Sequence, residues 1–109
     1  MMTWSEKLRD PRWQKLRLEV MQRDDWKCVI CDDRRNHLNV HHIVYTRHNP
    51  NPWGYNPATL QTLCKTCHEE RQELIDNVAN AMKLALKNVP TNRVRKMAAK
   101  LYNEAMAEL

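Results

Sequence analysis

The chain has 109 residues, a formal net charge of +5 and a pI of about 9.2. This length predicts one domain with a modest core, which a bound metal ion would help to stabilise. The single glycine, Gly54, excludes a glycine-rich phosphate loop. Because no apolar run suits a signal peptide or a membrane span, we expect a cytoplasmic protein with no membrane partner. The basic balance suits a polyanion, but it also occurs in proteins that bind none.

The N-terminal segment carries helix-start signals. Residues 1–10 predict a short helical turn, and Asp10 followed by Pro11 marks the start of a second helix. Apolar side chains at helical spacing extend that helix over 11–23. They are Trp13, Leu16, Val20 and Met21. We interpret this stripe as the face that packs on the core.

Two Cys-x-x-Cys turns, Cys28/Cys31 and Cys64/Cys67, stand far apart in the chain. In a reducing compartment four cysteines indicate a metal site before two disulfides. Zinc accepts four thiolates without a redox role, and four ligands leave no open position. We therefore predict a structural zinc ion on these four residues. A redox dithiol is the less favoured alternative, because one such turn would suffice for it.

The segment between the two turns predicts a strand and a loop. Residues 38–44 alternate in polarity, as a strand with Val40 facing the core would. Residues 46–58 are rich in proline and asparagine and form a loop. That loop is both cationic and aromatic, so it either contacts nucleic acid or covers the core. The side chains concerned are Arg47, His48, Trp53 and Tyr55.

The C-terminal part predicts a short strand and two helices. The strand leads into Cys64, a helix starts between Cys64 and Cys67 and ends at Val89-Pro90, and Thr91 caps a last helix. Both helices carry apolar stripes, for which core packing is the favoured interpretation and a dimer face the other. The stripes comprise Ile75, Val78, Met82, Ala85 and Leu86, then Val94, Met97, Ala98, Leu101, Ala105 and Leu109.

Three histidines stand next to the cysteine turns. Neighbouring residues on a strand point to opposite faces, so His41 and His42 cannot share one environment. His68 follows the last cysteine, and the cysteine frame places it beside the strand. It could share a metal ion with one of the pair and leave the other as a base, because imidazole suits both tasks near pH 7.

The order of these motifs resembles the HNH endonucleases, the zinc-ribbon branch of the ββα-metal (His-Me finger) nucleases. The matching parts are Cys28-x-x-Cys31, Leu38-x-Val40-His41-His42-Ile43 and Leu60-x-x-Leu63-Cys64-x-x-Cys67-His68. The resemblance covers about residues 8–73. It implies a small α+β domain, in which a ββα-metal motif is stapled by the four-cysteine zinc site and flanked by an N-terminal helix and C-terminal helices. We expect residues 1–109 to be a single HNH nuclease domain with a helical extension over about 74–109.

The resemblance also implies roles for single residues. His41 and His68 match ligands of a catalytic divalent metal, Mg²⁺ or else Mn²⁺, Ni²⁺ or Zn²⁺, and His42 matches the general base. Thr59 falls where the family has the asparagine that orients the base, although Asn56 is close enough to substitute. Predicted nucleic-acid contacts come from Arg47, His48, Lys65 and Arg71.

The implied function is a metal-dependent DNA endonuclease of phage, prophage or bacterial origin that nicks one strand per site. It would act as a monomer or a homodimer. One alternative is a zinc-held DNA-binding or accessory module with a weak or inactive centre, which the departure at Thr59 favours. Another is an interaction protein in which the last helix mediates assembly.

Overall fold

The computed structural model describes residues 1–45 and 49–109, which form a small α+β fold with one two-stranded antiparallel sheet. Its elements are α1 (Trp4–Lys7), α2 (Pro11–Arg23), β1 (Leu38–His42), two 3₁₀ turns (Pro52–Gly54 and Pro57–Thr59), β2 (Leu60–Cys64), α3 (Lys65–Ala85) and α4 (Thr91–Ala107). The predicted fold class is confirmed. The chain divides into two units, Met1–Glu69 and Glu70–Leu109. No helix among the described residues is long and apolar enough to cross a bilayer.

Local capping fixes the ends of α2, which has the predicted bounds. The Asp10 carboxylate accepts a hydrogen bond from the Arg12 backbone N–H, and Pro11 occupies the first helical position. After the helix, Asp25 and Trp26 adopt positive φ angles of 61° and 54°. This left-handed step turns the chain out of the helix and toward the first cysteine pair.

The sheet pairs β1 with β2 in a register from Leu38 opposite Cys64 to His42 opposite Leu60. Alternation places Val40 and His42 on the buried face of β1. The strand ends at His42, two residues earlier than predicted. The hydrophobic core on this face combines side chains from α2, both strands and the loop before β2. They are Trp13, Val20, Met21, Val40, Tyr55 and Leu60.

An ion pair at the end of α2 holds the helix on β2. The Asp24 carboxylate accepts hydrogen bonds from the Arg23 guanidinium and from the Thr62 backbone N–H, each at 2.9 Å. Arg23 also donates to the carbonyl oxygens of Pro57 and Leu60, at 2.7 and 2.6 Å. Burial raises the pKa of Asp24, but the hydrogen bonds from Arg23 and Thr62 outweigh it and leave the pKa lowered.

Asp24→Asn is expected to lower the free energy of unfolding at pH 7 by about 1–3 kcal/mol, the usual worth of a hydrogen bond to a charged group. Because the pKa of Asp24 is lower in the folded state, its carboxylate stabilises the fold above the unfolded pKa of about 4. That contribution is lost as the pH falls through the folded pKa. The gap between the variant and the natural protein should therefore shrink toward low pH.

Denaturant unfolding of both proteins from pH 7 to pH 3 measures this gap. The difference between them cancels the protonation of the cysteines, which both proteins share. Glu19→Gln is the matched control, because Glu19 is exposed on the same helix. A gap that stays constant with pH would contradict the assigned role of the carboxylate.

The C-terminal unit differs from two expectations. Thr91 is the first residue of α4 and not its cap, since Pro90 holds the capping position and no side chain caps the helix. Among the residues that the structure describes, none in α3 or α4 is buried. The interpretation of the two apolar stripes as packed core is therefore wrong for the single chain. A periodic stripe indicates a face that requires a partner, but it does not indicate which chain supplies that partner.

Candidate metal and histidine site

The four cysteines converge on one point. Their sulfur atoms all lie within 4.8 Å of one another, and the Sγ atoms of Cys31 and Cys64 are 3.7 Å apart. A tetrahedral zinc ion with Zn–S bonds of about 2.3 Å requires sulfurs roughly 3.8 Å apart. Cys28, Cys31, Cys64 and Cys67 therefore fit a closed tetrahedral metal site of structural type, as predicted.

Backbone geometry prepares the first cysteine to bind a cation. Burial raises the pKa of the Cys28 thiol, but backbone N–H groups of Cys64, Cys31 and Ile30 donate to its sulfur and bring the pKa down to about 6. The pKa of Cys67 is raised, mainly because its thiol shares hydrogen bonds with Cys31 and its other neighbours. Metal binding then requires the remaining thiols to release protons.

The same site joins separate parts of the N-terminal unit. The Val29 backbone N–H donates to the Thr62 carbonyl at 3.0 Å, which ties the first cysteine turn to β2. The Lys65 backbone N–H donates to the His37 carbonyl at 3.1 Å, which ties the start of α3 to the approach to β1. A bound ion would lock β1, β2 and the start of α3 together. The histidines lie on those elements.

The three histidines divide between the two faces of β1. His41 lies on the half-buried face, and its ring centroid is 4.7 Å from that of His68 in the first turns of α3. The two imidazoles are close enough to present one nitrogen each to the same ion. His42 lies on the opposite, core-facing side and is only 4% exposed. This division matches the prediction that the pair cannot share one environment.

Aromatic rings enclose His42. Its ring stacks on Trp13 with centroids 4.9 Å apart and an interplanar angle of 21°. Tyr55 and Trp4 make T-shaped contacts with it, with ring centroids 4.9 Å and 5.6 Å away. Burial lowers the pKa of His42, although the hydrogen bond with Pro52 opposes that shift. Burial therefore favours the neutral form of the ring.

One backbone acceptor sets the orientation of this ring. Nε2 of His42 lies 3.1 Å from the carbonyl oxygen of Pro52. A carbonyl only accepts, so Nε2 of the neutral ring carries the proton and donates. Nδ1 then keeps the lone pair. Sequence reasoning missed both Pro52 and the stacking of Trp13, which was predicted only as a core residue.

All three histidines border one pocket. Its volume is about 130 Å³, and its lining combines the histidines with residues from α1, α2 and β1. The lining residues are Trp4, Leu8, Trp13, Asn39, Val40, His41, His42, Tyr45 and His68. The pocket brings two adjacent imidazoles together with a third that is buried and oriented.

Thr59, which stands where an asparagine was expected, is buried behind the end of β1. Its hydroxyl donates to the Asn56 carbonyl at 2.7 Å, and its own carbonyl accepts from the Ile43 backbone N–H at 2.9 Å. The Asn56 side chain accepts from the Ala58 backbone N–H at 2.9 Å. Thr59 and Asn56 therefore stabilise the turn that anchors the residue after His42.

Two of the four predicted nucleic-acid contacts belong to the described residues. Lys65 is exposed in the first turn of α3 and pairs with Glu69 at 3.9 Å. Arg71 belongs to the C-terminal unit and is exposed. Arg47 and His48 lie outside the described residues. The structure therefore leaves these four contacts as predictions.

The fold and the site together define a class of protein: a small domain with a four-cysteine cluster of metal-binding geometry, in which an antiparallel strand pair and the following helix present histidines to one pocket. A comparison with known proteins takes the assignment further. Over 63 residues the chain is 40% identical to a protein of Lactococcus phage SK1 named probable HNH endonuclease, a match that covers 54% of this chain and 67% of that relative. The chain belongs to the HNH endonuclease family. No family model and no solved structure matches it.

Proposed function

We propose that the chain is a metal-dependent endonuclease that hydrolyses phosphodiester bonds in DNA, one strand per site. The observation that carries this proposal is the pocket with three histidines on its wall, two of them paired and one aligned by a backbone carbonyl. The relationship to a probable HNH endonuclease supports nuclease activity. We assign the activity to about residues 8–73, within a single domain that spans 1–109.

His41 and His68 would hold the catalytic divalent cation. Two imidazoles from the protein leave most coordination positions to water and to the substrate phosphate. When bound, such an ion supplies a Lewis acid that stabilises negative charge on the phosphate and on the leaving oxygen. Mg²⁺, Mn²⁺, Ni²⁺ and Zn²⁺ are all candidates, although nitrogen ligands favour the last three. The other predicted phosphate contacts are Arg47, His48, Lys65 and Arg71.

His42 would act as the general base. Its Nδ1 takes a proton from water, the water oxygen bonds to phosphorus, and the bond from phosphorus to the 3′ oxygen breaks. The products are a 5′-phosphate and a 3′-hydroxyl, whose proton comes from solvent. The Pro52 carbonyl, 3.1 Å from Nε2, stabilises the imidazolium that forms, and Trp13 stacks on it. A base that starts neutral and ends charged gains from both contacts.

The test is relaxation of supercoiled plasmid with each of the four metal ions, against EDTA. His41→Ala and His68→Ala each remove a metal ligand. Loss of only a ligand's hydrogen-bond partner typically costs about 10–100-fold, so we expect each variant to lower the nicking rate by more than that. Added metal should restore part of the loss, because weaker binding is the cause. His37→Ala is the matched control, since His37 is exposed outside the pocket. Equal nicking by all three variants would contradict the metal assignment.

A DNA-binding module with a weak or inactive centre is the second candidate, and the presence of Thr59 favours it. Its hydroxyl has one proton, which it donates to the Asn56 carbonyl, whereas an asparagine amide would offer two donors and an acceptor. A gel shift performed beside the plasmid assay distinguishes the two candidates. A shift without metal-dependent nicking would establish the module and reject the nuclease.

A further inference from the structure

The C-terminal unit, Glu70–Leu109, exposes the apolar faces of both its helices. The more extensive contacts between elements of the described chain all lie in the N-terminal unit. Seven large apolar side chains within α3 and α4, on or next to the two stripes, are between 46% and 62% exposed. They are Leu74, Ile75, Val78 and Met82 on α3, and Met97, Leu101 and Tyr102 on α4. We call these seven residues the apolar face.

The apolar face is large enough to form a stable interface. Seven side chains of this size, each about half exposed, together present on the order of 700 Å² of surface. Each partner in a standard interface contributes about 800 Å². The α3 part of the apolar face contains a pocket of about 260 Å³ lined by Arg71, Leu74, Ile75 and Val78. A pocket within an apolar patch is where an anchoring side chain of a partner inserts. Apolar patches of this extent mark interaction sites more often than free surface.

Charge is segregated along this unit in a pattern that identifies the partner. Six Lys and Arg residues lie between 83 and 100, with no acidic residue among them. Acidic residues lie on both sides of that run, over 70–76 and 104–108. Folding α4 back along α3 in the same chain would gather all six positive charges at one end. Antiparallel packing of α3 on α3 of a second copy, and of α4 on α4, instead sets the basic residues of one chain beside the acidic residues of the other.

We infer that the apolar face is a homodimer interface, on which α3 packs antiparallel on α3 of the second copy and α4 packs antiparallel on α4. Burial of the apolar face drives the association, and the charge pattern fixes its orientation. The inference concerns assembly alone and does not depend on catalysis. One consequence rests on the proposed function: a dimer carries two nuclease sites and is equipped to cut both strands.

Analytical ultracentrifugation of the full chain tests the inference. The natural protein is expected to sediment at twice its chain mass of 13.1 kDa. Val78→Glu and Leu101→Glu each place a charge within the apolar face, and each should raise the dimer dissociation constant about tenfold or more. Asn80→Glu and Asn103→Glu introduce the same charge on the opposite side of the same helices, so they should dimerise as the natural protein does.

Circular dichroism and the metal content of the cysteine site verify that each variant is folded. A mass of 13.1 kDa for the natural protein at every concentration would overturn the inference. So would a dimer that both apolar-face variants leave intact, since the interface would then lie elsewhere. Equal dissociation by the Asn80 and Asn103 controls would likewise contradict it, because the effect would not be specific to the apolar face.

Discussion

Cys64→Ser is expected to unfold the N-terminal unit at ambient temperature. Cys64 is 1% exposed at the junction of β2 and α3, and its sulfur accepts a hydrogen bond from the Cys67 backbone N–H at 3.4 Å. A serine hydroxyl is a poor zinc ligand, so the change removes one of four ligands. Metal binding contributes on the order of 10 kcal/mol to small zinc modules, comparable with the about 5–15 kcal/mol that stabilises a whole domain.

Loss of the metal should therefore remove most of the stability of this unit. Metal content per chain and thermal unfolding monitored by circular dichroism measure the effect. Thr66→Ala is the matched control, because Thr66 lies between two ligands but is exposed. A strong chelator should reproduce the unfolding in the natural protein, and added zinc should reverse it. Full metal content and an unchanged melting temperature in Cys64→Ser would show that the cysteines do not form the site.

Features governed by local chemistry were predictable from the sequence. The bounds of α2 follow from Asp10 and Pro11 at its start, since a cap acts on the next residues along the chain. The separation of His41 from His42 follows from the period of a strand. The cysteine cluster follows from two Cys-x-x-Cys turns, because thiolates of that spacing share one ion. In each case the residues themselves carry the signal.

Features governed by tertiary contact were not predictable. The acceptor for His42 is a backbone carbonyl ten positions away, and any residue at position 52 would offer the same oxygen. Helical periodicity marked Trp13 as buried but could not identify the ring against which it stacks. The α3 and α4 stripes had the period of a packed helix, whereas the structure leaves them exposed. Helical periodicity in the sequence identifies an apolar face, but only the tertiary structure shows whether another element packs on that face.

The stacking of Trp13 on His42 raises the question of whether His42 is a core residue or a catalytic one. A histidine buried among aromatic rings most often serves only to fill a core, and the burial of His42 alone is consistent with that role. One further feature distinguishes it: its ring borders the same pocket as His41 and His68. The hydrogen bond from Nε2 to Pro52 leaves the lone pair on Nδ1, but any buried histidine needs a partner for its N–H. Substitution must therefore separate a structural role from a chemical one.

His42→Ala is expected to abolish metal-dependent nicking. A general base contributes about 10²–10⁴-fold to the rate, and the loss should be at least that large. Because His42 is 4% exposed, the change also leaves a cavity and lowers stability. His42→Gln fills most of that space without supplying a base, so it should be better folded and equally inactive. The structural metal is expected to remain in both variants.

Added imidazole separates the two roles of His42. It should restore part of the nicking to His42→Ala, whose cavity admits the ring, and none to His42→Gln, whose side chain occupies the space. Plasmid relaxation and metal content measure both variants beside His37→Ala, which should nick as the natural protein does. Undiminished nicking by His42→Gln would reject His42 as the base. If His42 only fills the core, activity should follow the folded fraction of each variant, so that the better-folded His42→Gln nicks faster than His42→Ala. Any gain that imidazole gives His42→Ala should then match a gain in its folded fraction. If His42 is the base, the better-folded variant is the one that imidazole cannot rescue.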